Sequence, residues 1–166
     1  MLIRFSLAVI AMLSCIPVSA ADGFFYDLRC EYLSNPIGID AARPRLTWKI
    51  SDDRAGARQA AYRVIVGTDA AAVARGEGGS WDTGDVQSDA NLVAYDGIPL
   101  KPFTRYFWKV IGQGKDGQHY LSREVASFET GMMDGGDWKG TWISDGHGID
   151  HRPAPYFRKT FQAGKP

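Results

Sequence analysis

Between Tyr26 and Thr130, apolar residues recur at every second position in one short run after another, and a proline, glycine or aspartate ends each run. Successive side chains of an extended strand point to opposite faces, so this period asks for strands buried on one side. It denies the chain the 3.6-residue stripe of an amphipathic helix. "RLTWKI" sets Leu46, Trp48 and Ile50 against Thr47 and Lys49, and "YDLRCEYL" groups Leu28, Cys30 and Tyr32. "AAYRVIVG" does the same with Tyr62, Val64 and Val66, and "TRYFWKVIGQ" with Tyr106, Trp108 and Val110. Shorter strands are expected in "SWDTGDVQSDA" and "NLVAYDG". "GKDG" should close a hairpin, with Asp116-Gly117 accepting positive φ and "REVASFETG" as the return strand. One interruption, "TDAAAVARGEG", offers Thr68 or Asp69 as a cap and an alanine run for a turn or two of helix, which glycines 76, 78 and 79 stop. Short strands with regular turn signals and no long helix give an all-β sandwich over residues 24–131.

What lies outside that span sets the context. "MLIRFSLAVIAMLSCIPVSAADG" begins with Arg4, runs apolar from Phe5 to Val18 and ends in small residues, the pattern of a secretory leader over residues 1–20, cleaved after Ala20. "MLSC" offers an alternative in which Cys15 is lipidated. The apolar run is too short for a membrane-spanning helix of about 20 residues, so no membrane span is expected. The chain is expected outside the cytoplasm, secreted or periplasmic. Lys plus Arg and Asp plus Glu both number 19, and loss of Arg4 leaves 18 against 19, a charge that gives no support for a nucleic-acid partner. Cys30 would then be the one mature cysteine, without a disulfide partner and placed as a small buried hydrophobe. "GMMDGGD" reads as a break between domains, with a linker at 132–137. Beyond it, "WKGTWIS" and "APYFRKTFQ" read as the first strands of a second, incomplete β domain over 138–166.

"LKPFTRYFWKVIGQGKDG" packs its aromatics densely enough to suggest a ligand site. Its spacing of Leu100, Pro102, Thr104 and Tyr106, followed by Trp108 and Val110, resembles instead the corner between two strands of fibronectin type III domains. There the tyrosine ring is buried and its hydroxyl holds upstream backbone. Trp48 matches the buried tryptophan of that fold's second strand. These residues are read as structural.

A wider resemblance runs from Leu28 to Phe161. "LRCEYLSNPIGIDAARPRLTWKI", "QAAYRVIVGT", "WDTGDVQSD", "YDGIPLKPFTRYFWKVIGQGKDG", "SFETG", "DWKGTWIS" and "APYFRKTF" occur in the order and spacing of the N-terminal part of secreted bacterial α-L-rhamnosidases. The resemblance implies a fibronectin-like or immunoglobulin-like sandwich, then a carbohydrate-contacting β-sandwich, and further on an (α/α)6 barrel that bears the catalytic acids. It implies as partners those catalytic domains and a rhamnose-containing glycan. No cofactor motif stands in the sequence, and no cofactor is assigned. The acids of the barrel have no counterpart here, so the chain by itself is expected to be inactive. The alternative is a stand-alone fibronectin-like module that binds carbohydrate or mediates adhesion.

The inverting hydrolysis that the resemblance implies needs two carboxyl groups about 6.5–9.5 Å apart. Asp52 with Asp53, Asp85 with Asp89, and Glu124 with Glu129 are the pairs on offer, and solvated surface charge is the simpler reading of each. No catalytic residue is assigned. "DGHGIDH" places His147 and His151 four apart beside Asp145 and Asp150, but Gly146, Gly148 and Pro153 oppose the helix that would align them, and no metal site is assigned. Trp81, Trp138, Trp142 and Tyr156 have planes suited to a pyranose face. Of these, Trp138, Trp142 and Tyr156 are carried as carbohydrate or interdomain contacts, although Trp142, beside Ile143 in a strand-like run, is expected to pack inside the second domain.

Overall fold

The computed structural model describes residues 23–134, 136, 138–148, 150, 154–162 and 164. The expected leader with Cys15 lies outside them, as does His151. Among the described residues the elements run β1 (Phe24–Cys30), β2 (Arg45–Ser51), β3 (Gln59–Gly67), α1 (Ala70–Ala74), β4 (Trp81–Asp82), β5 (Val86–Gln87), β6 (Leu92–Ala94), β7 (Arg105–Gly114), β8 (His119–Ser122) and β9 (Ala126–Glu129). Strands β1, β2 and β6 form one antiparallel layer. In the other layer β3 and β7 pair along most of their length, with β4 and β5 on the far edge of β3 and β9 beside the first half of β7. β8 pairs antiparallel with the second half of β7 and parallel with the start of β1, so it stitches the layers together and the sheet curls upon itself. The all-β sandwich expected from the alternation, immunoglobulin-like as the resemblance implies, is the fold observed.

Aromatic rings fill the space between the layers. Trp48 on β2 meets Tyr62 on β3 edge-on at 5.1 Å, and Phe25 on β1 meets Trp48 at 6.2 Å and Tyr120 on β8 at 5.6 Å. Such edge-to-face contacts add to the area that these rings bury. The Trp48 indole N–H donates to Gln59 Oε1 at 2.9 Å, and the buried Gln59 amide donates in turn to the carbonyls of Ser88 and Ala90. A buried polar group with all its partners is tolerated in such a core. Cys30 is buried as expected, and burial pushes its thiol up to about 12, which makes it an inert filler rather than a nucleophile. β3 carries more than one buried face. α1 and the glycine-rich segment after it cover Ile65 on the side away from Val64 and Val66. Asp69 caps that helix, accepting from the Ala71 and Ala72 amides, and Gly76 at φ +90° ends it.

Within residues 24–131 the strands differ from the sequence reading in two places. The hairpin at "GKDG" forms, with Gly117 at φ +81° and its amide bonded to the Gly114 carbonyl, but its return strand is β8. "REVASFETG" instead supplies β9. At ten residues, β7 is long enough to take β8 and β9 one after the other. In β1 the register shifts between Tyr26 and Arg29, where Asp27 adopts φ +50°. This bulge sets Tyr26, Asp27, Leu28 and Arg29 against Lys49, Trp48 and Thr47, so burial falls on Phe25, Leu28 and Cys30. Tyr32, expected beside Leu28 and Cys30, lies past the end of β1 with φ +64° and is 50% exposed.

Contacts group the chain into two units that divide after Asp134. In the second, every described residue is exposed, and "WKGTWIS" and "APYFRKTFQ" show no strand pairing among the described residues. Two short segments without further strands bury too little apolar surface to hold a ladder together. Trp142 is accordingly 91% exposed rather than packed, and Tyr156 is equally open. Within this unit the rings of Trp138 and Trp142 stand 6.5 Å apart.

Candidate functional site

The residues read as structural lie in and around the loop that leads into β7. Trp48, Leu100, Tyr106 and Trp108 are buried, and Pro102 and Thr104 are half-buried. The Tyr106 hydroxyl accepts from the Lys101 amide at 2.9 Å, and its ring stacks on Phe128 at 5.3 Å. Thr104 Oγ1 donates to the Pro102 carbonyl at 2.9 Å. Thr130, which no sequence signal singled out, pins the same loop from the other strand. Its buried hydroxyl donates to the Lys101 carbonyl at 2.6 Å and accepts from the Thr104 amide at 2.9 Å.

Four of the candidate carboxylates have separate surroundings. Asp52 is almost fully enclosed, takes hydrogen bonds from Arg54 and from the Tyr120 hydroxyl at 2.7 Å, and its carboxyl is held well below the usual range by Arg54 first and Tyr120 second. Arg54 also reaches Asp116 across the β7–β8 turn. Asp52 therefore ties two turns together. Asp85 and Asp89 line different clefts, and Glu129 pairs with Arg105 at 3.0 Å. His147 Nδ1 stands 3.4 Å from Asp145, and among the described residues no three His, Cys, Asp or Glu side chains converge.

The side chains that do converge lie on the outer face of the β1–β2–β6 layer, around a cleft of about 430 Å³. The alternation of β2 that buries Leu46 and Trp48 turns Thr47 and Lys49 outward, and the ladder sets Thr47 between Arg29 and Leu92. The bulge brings Asp27 to this face, where its carboxylate accepts from Lys49 and from Arg29 at 2.8 Å each. Lys49 first and Arg29 second hold it below the usual range. Glu31, lowered by Arg45, fixes that guanidinium, which lies over the Tyr32 ring at 4.7 Å from its centroid. Tyr32 forms one wall and the exposed Asn91 and Leu92 another. The side chains of Thr47 and Asn91 make no hydrogen bond among the described residues. Asp27, Glu31 and Tyr32 all have positive φ without being glycine, a conformation that bulky residues adopt rarely. The sequence reading missed this cleft, because a period-2 reading assigns Tyr32 to the core.

A second exposed feature marks the end where the chain leaves the sandwich. The extension of β9 bonds on one side to Pro36 and Ile39 and on the other to Phe103 and Thr104. On its two flanks Ile37 is exposed, and Phe103 is 68% exposed with φ +48°.

Residues 25–134 match the family model described as the Rha78A-like, N-terminal immunoglobulin domain. An α-L-rhamnosidase of Streptomyces avermitilis is 44% identical over 115 residues, covering 69% of this chain and 11% of that protein. One from Formosa agariphila is 30% identical over 134 residues, covering 80% of this chain and 14% of the relative. Among solved structures, an α-L-rhamnosidase from Dictyoglumus thermophilum superposes with a TM-score of 0.72 at 36% identity, over 76% of this chain and 14% of that one. The Streptomyces avermitilis enzyme complexed with L-rhamnose does so with a TM-score of 0.69 at 40% identity, over 74% and 12%. The chain thus spans 11–14% of the length of these relatives.

Proposed function

The chain belongs to the family of Rha78A-like N-terminal immunoglobulin domains, and from that premise we propose that it is the non-catalytic front module of an α-L-rhamnosidase, a glycoside hydrolase that releases terminal α-L-rhamnose from glycans. The observation that carries this reading is a similarity reaching 44% identity that falls on only 11% of a rhamnosidase. In this reading residues 1–20 are a secretory leader, 24–131 the module, 132–137 a linker and 138–166 the first part of the next β domain. The division after Asp134 supports the linker.

Two measurements test the reading. DNA downstream of codon 166 should continue in frame for several hundred residues and encode an acid-rich helical region; a stop codon directly after Pro166 would favour a stand-alone binding module instead. Incubated with an aryl α-L-rhamnoside, the purified chain should release no aglycone. Hydrolysis that a single carboxylate substitution abolishes would refute the non-catalytic assignment.

A further inference from the structure

We propose that the outer face of the β1–β2–β6 layer, at the cleft between Tyr32 and Asn91-Leu92, is a saccharide-contacting surface that takes a terminal 6-deoxyhexose such as rhamnose. The choice of rhamnose rests on the module belonging to a rhamnosidase, whereas the cleft itself rests on its own geometry.

Three features of the cleft point to a sugar. The first is its mixture of groups: a half-exposed tyrosine ring and an exposed leucine supply apolar surface, and between them Thr47 and Asn91 offer a hydroxyl and an amide without partners among the described residues. A 6-deoxyhexose has the matching mixture, with a methyl group and a C–H face for the ring and leucine and hydroxyls for the amide, the hydroxyl and the Lys49 ammonium. The second is the fixed position of the platform. Arg45 lies over one face of Tyr32 and is itself held by Glu31, and Arg29 donates to the Tyr32 carbonyl at 3.2 Å, so the ring is oriented before any ligand arrives. Left-handed backbone at Asp27, Glu31 and Tyr32 builds this wall, and strain of that kind persists where the surrounding structure enforces it, commonly at ligand sites.

The third feature separates a sugar from a protein partner. Asp27, Arg29, Lys49, Glu31 and Arg45 surround the ring, already paired with one another. Protein interfaces are depleted of charge at their centres, because docking an apolar surface would strip water from all five groups. Sugar hydroxyls can replace that water in the hydrogen bonds that it makes. The 430 Å³ of the cleft lies within the range of small-ligand sites.

The test is a titration of the ¹⁵N-labelled full chain with methyl α-L-rhamnoside, and separately with methyl α-D-glucoside, followed by amide chemical shifts. Saturable shifts confined to residues 27–32, 47–49 and 91–92, with rhamnoside preferred, are expected. Asn91→Ala removes an exposed side chain that the fold does not use and should weaken binding roughly 2- to 10-fold, the equivalent of one hydrogen bond. Tyr32→Ala should weaken it about tenfold or more if the variant keeps the wild-type spectrum elsewhere. The proposal is overturned by an absence of saturable shifts, by shifts that map to Trp138, Trp142 and Tyr156 instead, or by an Asn91→Ala chain that binds as the parent does. None of these outcomes touches the module assignment, which stands or falls on the downstream reading frame; a stop codon after Pro166 would remove the ground for rhamnose in particular and leave the saccharide cleft to the titration with both glycosides.

Discussion

Replacing Tyr106 with phenylalanine removes one oxygen and almost nothing else. The ring is 2% exposed and keeps its stack on Phe128, so neither apolar burial nor packing changes. What is lost is the acceptor for the Lys101 amide at 2.9 Å. A hydrogen bond contributes about 0.5–1.5 kcal/mol net, and leaving a buried partner unmade costs about 1–3 kcal/mol. Lys101 is itself exposed, so water partly replaces the hydroxyl and the expected loss is about 1–2 kcal/mol. For a domain of this size that lowers Tm by roughly 4–8 °C and shifts the urea midpoint without changing the slope. Because Thr130 Oγ1 holds the carbonyl of the same Lys101, Tyr106→Phe and Thr130→Val should be coupled. Each alone leaves the loop anchored from the other side, and together they free it. A double-mutant cycle by urea denaturation of the full chain should give a coupling of about 0.5 kcal/mol or more. A Tm unchanged within about 1 °C in Tyr106→Phe would refute the corner as a stabilising device, and strict additivity would refute the shared anchor.

Two further perturbations separate other contributions. The Asp52 carboxyl titrates well below its unfolded value of about 3.9, so the unfolded chain binds the extra proton and the stabilisation from this group is complete above about pH 5 and fades as pH falls. Asp52→Asn should therefore flatten the acid limb of a Tm-against-pH profile below about pH 5, and an unchanged limb would show that Arg54 and Tyr120 do not hold the carboxylate in solution. Gly112 lies under Phe25: an added Cβ would stand 2.6 Å from the ring and 2.7 Å from the Ala61 carbonyl oxygen. Gly112→Ala should destabilise by about 1–3 kcal/mol in thermal denaturation, and Phe25→Leu in that background should not restore the parent stability, because the carbonyl clash remains.

Much of this molecule is written locally. Period-2 alternation identifies β2, β3 and β7 and their buried faces because one face of each must leave water, and that requirement acts on neighbouring residues whatever the rest of the chain does. The tyrosine corner is equally local, since donor and acceptor stand five residues apart. In β1 the same logic places Leu28 and Cys30 inward, as found, but no composition signal marks the extra residue at Asp27 that shifts the phase between Phe25 and Leu28, nor the left-handed turn past Cys30 that takes Tyr32 out of the core. β8 escaped because its four residues are stabilised by pairing with two different strands rather than by their own pattern. The network of Asp52, Arg54, Tyr120 and Asp116 joins turns more than sixty positions apart, and the cleft joins β1, β2 and β6 across a similar span. In the second unit the strand-like patterns of "WKGTWIS" and "APYFRKTFQ" do not pair among the described residues, since alternation alone supplies no partner for a ladder. By itself, then, the sequence determined that β2, β3 and β7 extend, which faces they bury and that the core is a β-sandwich, because burial and strand geometry are properties of adjacent residues. Tertiary structure alone decided the partner of each strand, the turning out of Tyr32 and the gathering of Thr47, Asn91 and Lys49 around it, because those depend on register, which is set by contacts between residues distant along the chain.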